Sequence, residues 1–158
     1  MNLRPFALAL FSATLSCSAL AAQLACPDLA AAVQVNACPT EEELKFTYTA
    51  FCSDNAKAYA RETDSCLRYQ DYRQMKNTAL WEAKDGEFSG YISCDLSADK
   101  VKALKATGMK VERQGKLTKV VCSYPGGVNL SYRTKEGCAV DNDKACSANV
   151  ANCRATCN

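Results

Sequence analysis

Residues 109–133 read MKVERQGKLTKVVCSYPGGVNLSYR, and the fold turns on how this stretch is parsed. Three β-prone runs, Met109 to Arg113, Leu117 to Tyr124 and Val128 to Arg133, are separated by Gln114-Gly115-Lys116 and Pro125-Gly126-Gly127. Short glycine-containing connections between such runs are hairpin signals, so the stretch reads as a three-stranded antiparallel meander. Immediately upstream, Phe88, Gly90, Ile92 and Cys94 alternate with Glu87, Ser89, Tyr91 and Ser93. A period of two gives a strand with one apolar side. Between strand and meander, Ser97 reads as the cap of a helix that turns Val101 and Leu104 inward, with Gly108 as the left-handed residue that ends it.

Working outward, residues 23–83 read as mainly helical. Thr40-Glu41-Glu42-Glu43 is a capping box. Asp54 and Ser65 look like caps of two further helices, the second carrying Cys66, Tyr69, Tyr72, Met75 and Ala79 as a buried stripe. Residues 136–158 hold four cysteines and almost no large apolar side chain; Cys146, Val150, Cys153 and Cys157 fall at i, i+4, i+7 and i+11, one face of a helix pinned by disulfides. The fold class expected is therefore α+β. It is a small disulfide-rich domain with N-terminal helices (23–83), then an α+β core of strand, helix and meander (84–135), then a Cys-rich C-terminal segment (136–158). Residues 23–158 are short enough to form one domain.

Residues 1–22 read as a cleavable signal peptide. Arg4 supplies the positive start, Phe6 to Leu15 the apolar run, and Ala19-Leu20-Ala21 the small-x-small processing pattern, with cleavage after Ala21 or Ala22. The apolar run is too short to span a bilayer, and no other segment approaches that length, so no transmembrane segment is expected. Cys17 sits where a lipoprotein signal would place its acylated cysteine, although Thr14-Leu15-Ser16 fits that signal poorly.

Of 11 cysteines, removal of Cys17 with the leader leaves ten: Cys26, Cys38, Cys52, Cys66, Cys94, Cys122, Cys138, Cys146, Cys153 and Cys157. An even count behind a leader reads as five disulfides in an oxidising compartment, periplasmic or fully secreted. Cys-x-x-Cys knuckles are absent and so is histidine, so neither a metal nor another cofactor is expected.

The lack of histidine also removes Ser-His-Asp and Cys-His catalysis. Ser97-Ala98-Asp99-Lys100 matches the Ser-x-x-Lys nucleophile pattern, but its partner elements are missing. Asp141-Asn142-Asp143 lacks the glycine and distal glutamate of a calcium loop. No catalytic set is complete, and the chain reads as a non-enzyme.

Charge is the one functional lead. Residues 23–99 carry seven Lys or Arg against thirteen Asp or Glu, whereas residues 100–119 carry seven against one. Lys100, Lys102, Lys105, Lys110, Arg113, Lys116 and Lys119 are the candidate binding patch, suited to an acidic protein or a polyanionic envelope component. Aromatics do not interleave with them, so no specific nucleic-acid binding is expected. The expected function is a monomeric exported binding or inhibitory module. A structural or accessory component of an envelope or secretion assembly is the alternative, and an unrecognised enzyme the second alternative.

Overall fold

A computed structural model describes residues 22–59, 64–141 and 149–158. Residues 1–21, with Arg4, Cys17 and the processing pattern, lie outside the described residues, as do Cys146 and the Asn142-Asp143 pair.

The described chain is α+β. It runs through β1 (Ala22–Leu24), β2 (Val33–Gln34), α1 (Glu41–Cys52), α2 (Asn55–Tyr59), α3 (Tyr69–Lys76), β3 (Thr78–Glu82), β4 (Ser89–Ser93) and α4 (Ala98–Ala103). It continues through β5 (Gly108–Gln114), β6 (Leu117–Ser123), β7 (Asn129–Thr134), β8 (Cys138–Val140) and β9 (Ala155–Cys157). Two antiparallel sheets form, a six-stranded one in the order β2-β3-β4-β7-β6-β5 and a three-stranded one in the order β1-β9-β8.

The meander forms as the turn residues dictate. Gly115 at φ 63° and Gly126 at φ 72° occupy the left-handed backbone that their hairpins need. Every residue of β5 finds a partner on β6, and every residue of β7 does so on the other side. β4 joins this meander through β7 by a narrow seam, with Ser89 opposite Ser131. The seam is tight: a Cβ added to Gly90 would collide with the backbone carbonyl of Asn129.

One face of the large sheet is the core. Trp81 from β3, Ile92 from β4, Leu130 from β7 and Val120 and Cys122 from β6 are all nearly fully buried there. Leu29 of a 3-10 turn (Leu29–Ala31), Val101 of α4, and Leu24, Ala155 and Cys157 of the small sheet complete the same cluster. The helical segment α1–α3 has its own smaller cluster of Leu44, Tyr48, Phe51, Tyr69 and Tyr72, in which Tyr48 meets Tyr69 and Tyr72 edge-on at ring separations of 5.4 and 5.3 Å.

Four disulfides are described: Cys26–Cys122, Cys38–Cys94, Cys52–Cys66 and Cys138–Cys157. Cys153 is disulfide-bonded as well. Cys26–Cys122 closes a span of 96 residues and ties the loop after β1 to β6; Cys52–Cys66 closes one of 14 inside the helical segment.

Several local expectations are overturned. The stripe from Cys66 to Ala79 is not one helix. Cys66 ends a 3-10 turn (Asp64–Cys66), α3 starts at Tyr69 behind Arg68 with no side-chain cap, so Ser65 does not cap it, and Met75 is exposed. Ala79 is already in β3, because Ala79, Trp81 and Ala83 alternate inward against β4. The C-terminal residues are not a helix face either. Val150–Asn152 is a 3-10 turn ended by buried Cys153, and Ala155–Cys157 is a strand in which Ala155 and Cys157 are buried and Cys157 pairs with both Ala22 and Cys138. Ser97 is the N-cap residue of α4, yet its side chain makes no cap hydrogen bond. Gly108 does not end α4 in the left-handed region; it opens β5, and the helix closes through Leu104, whose N–H donates to Val101.

Candidate functional site

Strand register assigns each candidate side chain to a face, because directly opposed residues share one and neighbours along a strand do not. The core face holds the even-numbered residues of β4, β6 and β7. The opposite face holds Leu80 opposite Tyr91, Glu82 opposite Val33 and Ser89, Ser89 opposite Ser131, and Val121 opposite both Ser131 and Lys110. Its next row runs Glu112, Lys119, Arg133, and Leu117 follows opposite Gln114.

This second face is open toward its β2–β4 side, whereas Val121 and Ser131 at its middle are buried. Tyr91 is 70% exposed, Val33 58% and Val35 52%, and Val35 joins the row of Leu80 by donating its N–H to the Leu80 carbonyl. A shallow depression of about 170 Å³ lies at its middle, bordered by Leu80, Tyr91, Val121, Ser131, Lys119 and Arg133. Lys119 is half-buried and Arg133 exposed, and the two are direct cross-strand neighbours. Like charges so placed repel unless an anion lies against them. Glu112 offsets this only in part, because its carboxylate is already bonded to Lys110 at 2.6 Å. That hydrogen bond, then the Lys110 charge, hold the Glu112 carboxyl below its ordinary range, with Lys119 adding a smaller pull against the opposing cost of burial. On the β5–β7 half of this face, three cations therefore stand against one carboxylate.

The seven basic residues singled out from sequence do not converge. Lys110 and Lys119 share the open face. Lys116 is at the β5–β6 tip, and Arg113 points to the other side, opposite buried Thr118 and beside Gly137. Lys100 and Lys102 are exposed on α4, which packs Val101 into the core on the covered face. Lys105 follows that helix and is bonded to Asp28 at 3.0 Å. Arg133, which belongs with Lys119, was missed by composition alone; the signal that finds it is the hairpin register, since Ser123 opposite Asn129 forces Lys119 opposite Arg133.

Ser97 and Lys100 are both exposed, and no hydrogen bond joins them. Among the described residues there is no cluster of three His, Cys, Asp or Glu able to hold a metal, and no helix long and apolar enough to cross a membrane.

The class defined by this architecture is a small disulfide-rich α+β protein with antiparallel sheets. Comparison with known proteins returns no match: no family model, no curated protein and no solved structure matches the chain.

Proposed function

We propose that the chain is an exported binding module, not an enzyme, that docks the open face of its large sheet against an acidic protein. The observation that carries this reading is the composition of that face, where exposed Tyr91 borders one depression with the adjacent cations Lys119 and Arg133, and exposed Val33 and Val35 lie toward its β2 edge. A six-stranded sheet face of mixed apolar and cationic groups matches a folded partner better than a thread-like polyanion, which favours a continuous cationic track. Export is supported by the leader pattern in residues 1–22 and by disulfides that suit an extracellular or periplasmic setting. A rigid, bridged frame favours binding because little conformational freedom is left to lose on association.

The test uses the oxidised protein, immobilised, with extract of the native envelope or culture fluid. An acidic protein retained by the wild type is expected to be lost with Lys119→Glu plus Arg133→Glu and with Tyr91→Ser, and to elute as salt rises, since surface attraction is screened beyond about 8 Å at physiological ionic strength. Lys100→Glu plus Lys102→Glu, on the covered side, is expected to retain it. Equal retention by the open-face variants overturns the reading, and displacement by a sulfated polysaccharide at equal charge assigns the face to a polyanion instead. A component of an envelope assembly would bring down several neighbours regardless of these substitutions.

A further inference from the structure

A second concave site lies away from the open face, where three loops meet beside the small sheet. Residues 25–28 after β1, 104–107 after α4, and 149–151 with Arg154 before β9 border an open depression of about 730 Å³. That volume falls within the range of roughly 300–1,000 Å³ typical of small-molecule sites. Its apolar lining is supplied by Ala25, Pro27, Leu104, Ala106 and Val150. Covalent anchors hold its walls, since Cys26 lines it and is bridged to fully buried Cys122, and Cys153, next to Arg154, is both buried and disulfide-bonded.

The polar groups of this lining are unbalanced in sign. Asp28 is the one carboxylate among the lining residues, and it is already satisfied: it accepts from the Ala30 N–H at 3.1 Å and from Lys105 Nζ at 3.0 Å. The Ala30 hydrogen bond first, and Lys105 second, hold its carboxyl below the ordinary range. Lys105, largely exposed, offsets the charge of Asp28 in that pair. Arg154 is the cation left over. Its Nη1 donates to the carbonyls of Ala151 at 2.9 Å and Cys153 at 2.7 Å, which fixes the plane of the guanidinium. Nη2 and Nε make no hydrogen bond among the described residues. Asn149 is held likewise, its Oδ1 accepting from the Ala151 N–H at 3.0 Å, which leaves the amide Nδ2 as a donor.

We infer that this cavity binds a small organic monoanion, a carboxylate or sulfonate on a compact apolar body, with its charged head on the free edge of Arg154 and the Asn149 amide and its apolar part on Leu104, Ala106 and Val150. A planar guanidinium already fixed by two backbone carbonyls presents two parallel donors to a carboxylate at little entropic cost. One uncompensated cation selects one negative charge. Neutral and cationic analogues leave Arg154 unpaired or repelled.

Titration of the oxidised protein with octanoate and with 1-anilinonaphthalene-8-sulfonate tests this. Saturable 1:1 binding of both, each displacing the other, is expected, with octan-1-ol and octylammonium weaker by about tenfold or more. Arg154→Gln is expected to weaken octanoate by a similar factor, Arg154→Lys to retain part of it, and Lys119→Glu plus Arg133→Glu to leave it unchanged. Ala151→Trp fills the exposed wall of the cavity without changing charge and is expected to block both probes, with its thermal unfolding as the check on folding. Absence of saturable binding, equal affinity for octylammonium, or octanoate binding unaffected by Arg154→Gln and Ala151→Trp overturns the inference. The open-face charge reversals separate the two sites: they abolish partner docking and not octanoate binding if both readings hold.

Discussion

The six-stranded sheet and the helical segment α1–α3 belong to one chain but are held together by different means. The sheet buries Ile92, Val120, Cys122 and Leu130 against α4 and the small sheet, and apolar contact does most of its stabilising. In α1 only Leu44 is buried, in α3 only Tyr72, and Phe46, Tyr59 and Leu67 remain exposed. What secures that segment is a ring of edge-on aromatics, the Cys52–Cys66 and Cys38–Cys94 bridges, and Arg73 reaching both Glu41 and Asp95. Such exposed ion pairs contribute little each. Where burial is thin, covalent staples take its place.

The sharpest way to break that contrast is to open one bridge on each side. Restriction of the unfolded chain grows with loop length, so Cys26→Ser plus Cys122→Ser is expected to cost about 4–5 kcal/mol and to lower protection from amide exchange throughout the sheet. Cys52→Ser plus Cys66→Ser is expected to cost about 3 kcal/mol, with exchange rising in α1 and α2 while β5–β7 stay protected. Identical exchange patterns in the two variants would abolish the distinction.

A smaller effect separates the tyrosines of the two regions. Tyr124 donates its hydroxyl hydrogen bond to the Pro27 carbonyl at 2.7 Å beneath the core, and burial, then the nearby Asp28 charge, push its phenol well above the ordinary range. A raised folded value means that the protonated form is preferred by the native state. Its contribution is thus complete below about pH 10, the unfolded value, and is lost as pH rises from there through the folded value. Tyr124→Phe is expected to cost about 1 kcal/mol at neutral pH and to flatten the alkaline limb of stability measured in urea. Tyr69, whose hydroxyl donates to Glu41 on the surface, is expected to show a smaller change with Phe. An unaltered alkaline limb in Tyr124→Phe would remove the buried phenol from the account.

The smallest expected effect, that of Ser97, is read against a second helix start. Thr40 and Glu43 form a complete capping box, so Thr40→Ala is expected to cost about 0.5–2 kcal/mol. Ser97→Ala, at a cap with no side-chain bond, is expected to stay within about 0.5 kcal/mol. Thermal melts of both decide, and a Ser97 loss equal to that of Thr40 would restore Ser97 as a capping side chain.

The parts legible in the sequence are those whose signal is local. Gly115 and Gly126 mark turns, Thr40 and Glu43 mark a helix start, and Phe88 and Ile92 mark a half-buried strand. β1, β2 and β9 are two or three residues long and exist because distant segments pair with them, so no period announces them. The C-terminal cysteines fit a helical spacing and a strand spacing at once, and the partner strand Cys138–Val140 decides between them. Lys110 and Lys119 were found from composition. Their face and their neighbour Arg133 follow only from register.

The seam between β4 and β7 gives the molecule a direction of weakness. Strands β2 to β4 come from the first part of the chain and β5 to β7 from the later part, and the two triplets meet through Ser89 and Ser131 where Gly90 admits the Asn129 carbonyl. Of the four described bridges, only Cys26–Cys122 joins the two parts. Under a pulling force the sheet would part along that line as a zipper opens, and the Cys26–Cys122 bridge would then limit how far the oxidised molecule stretches.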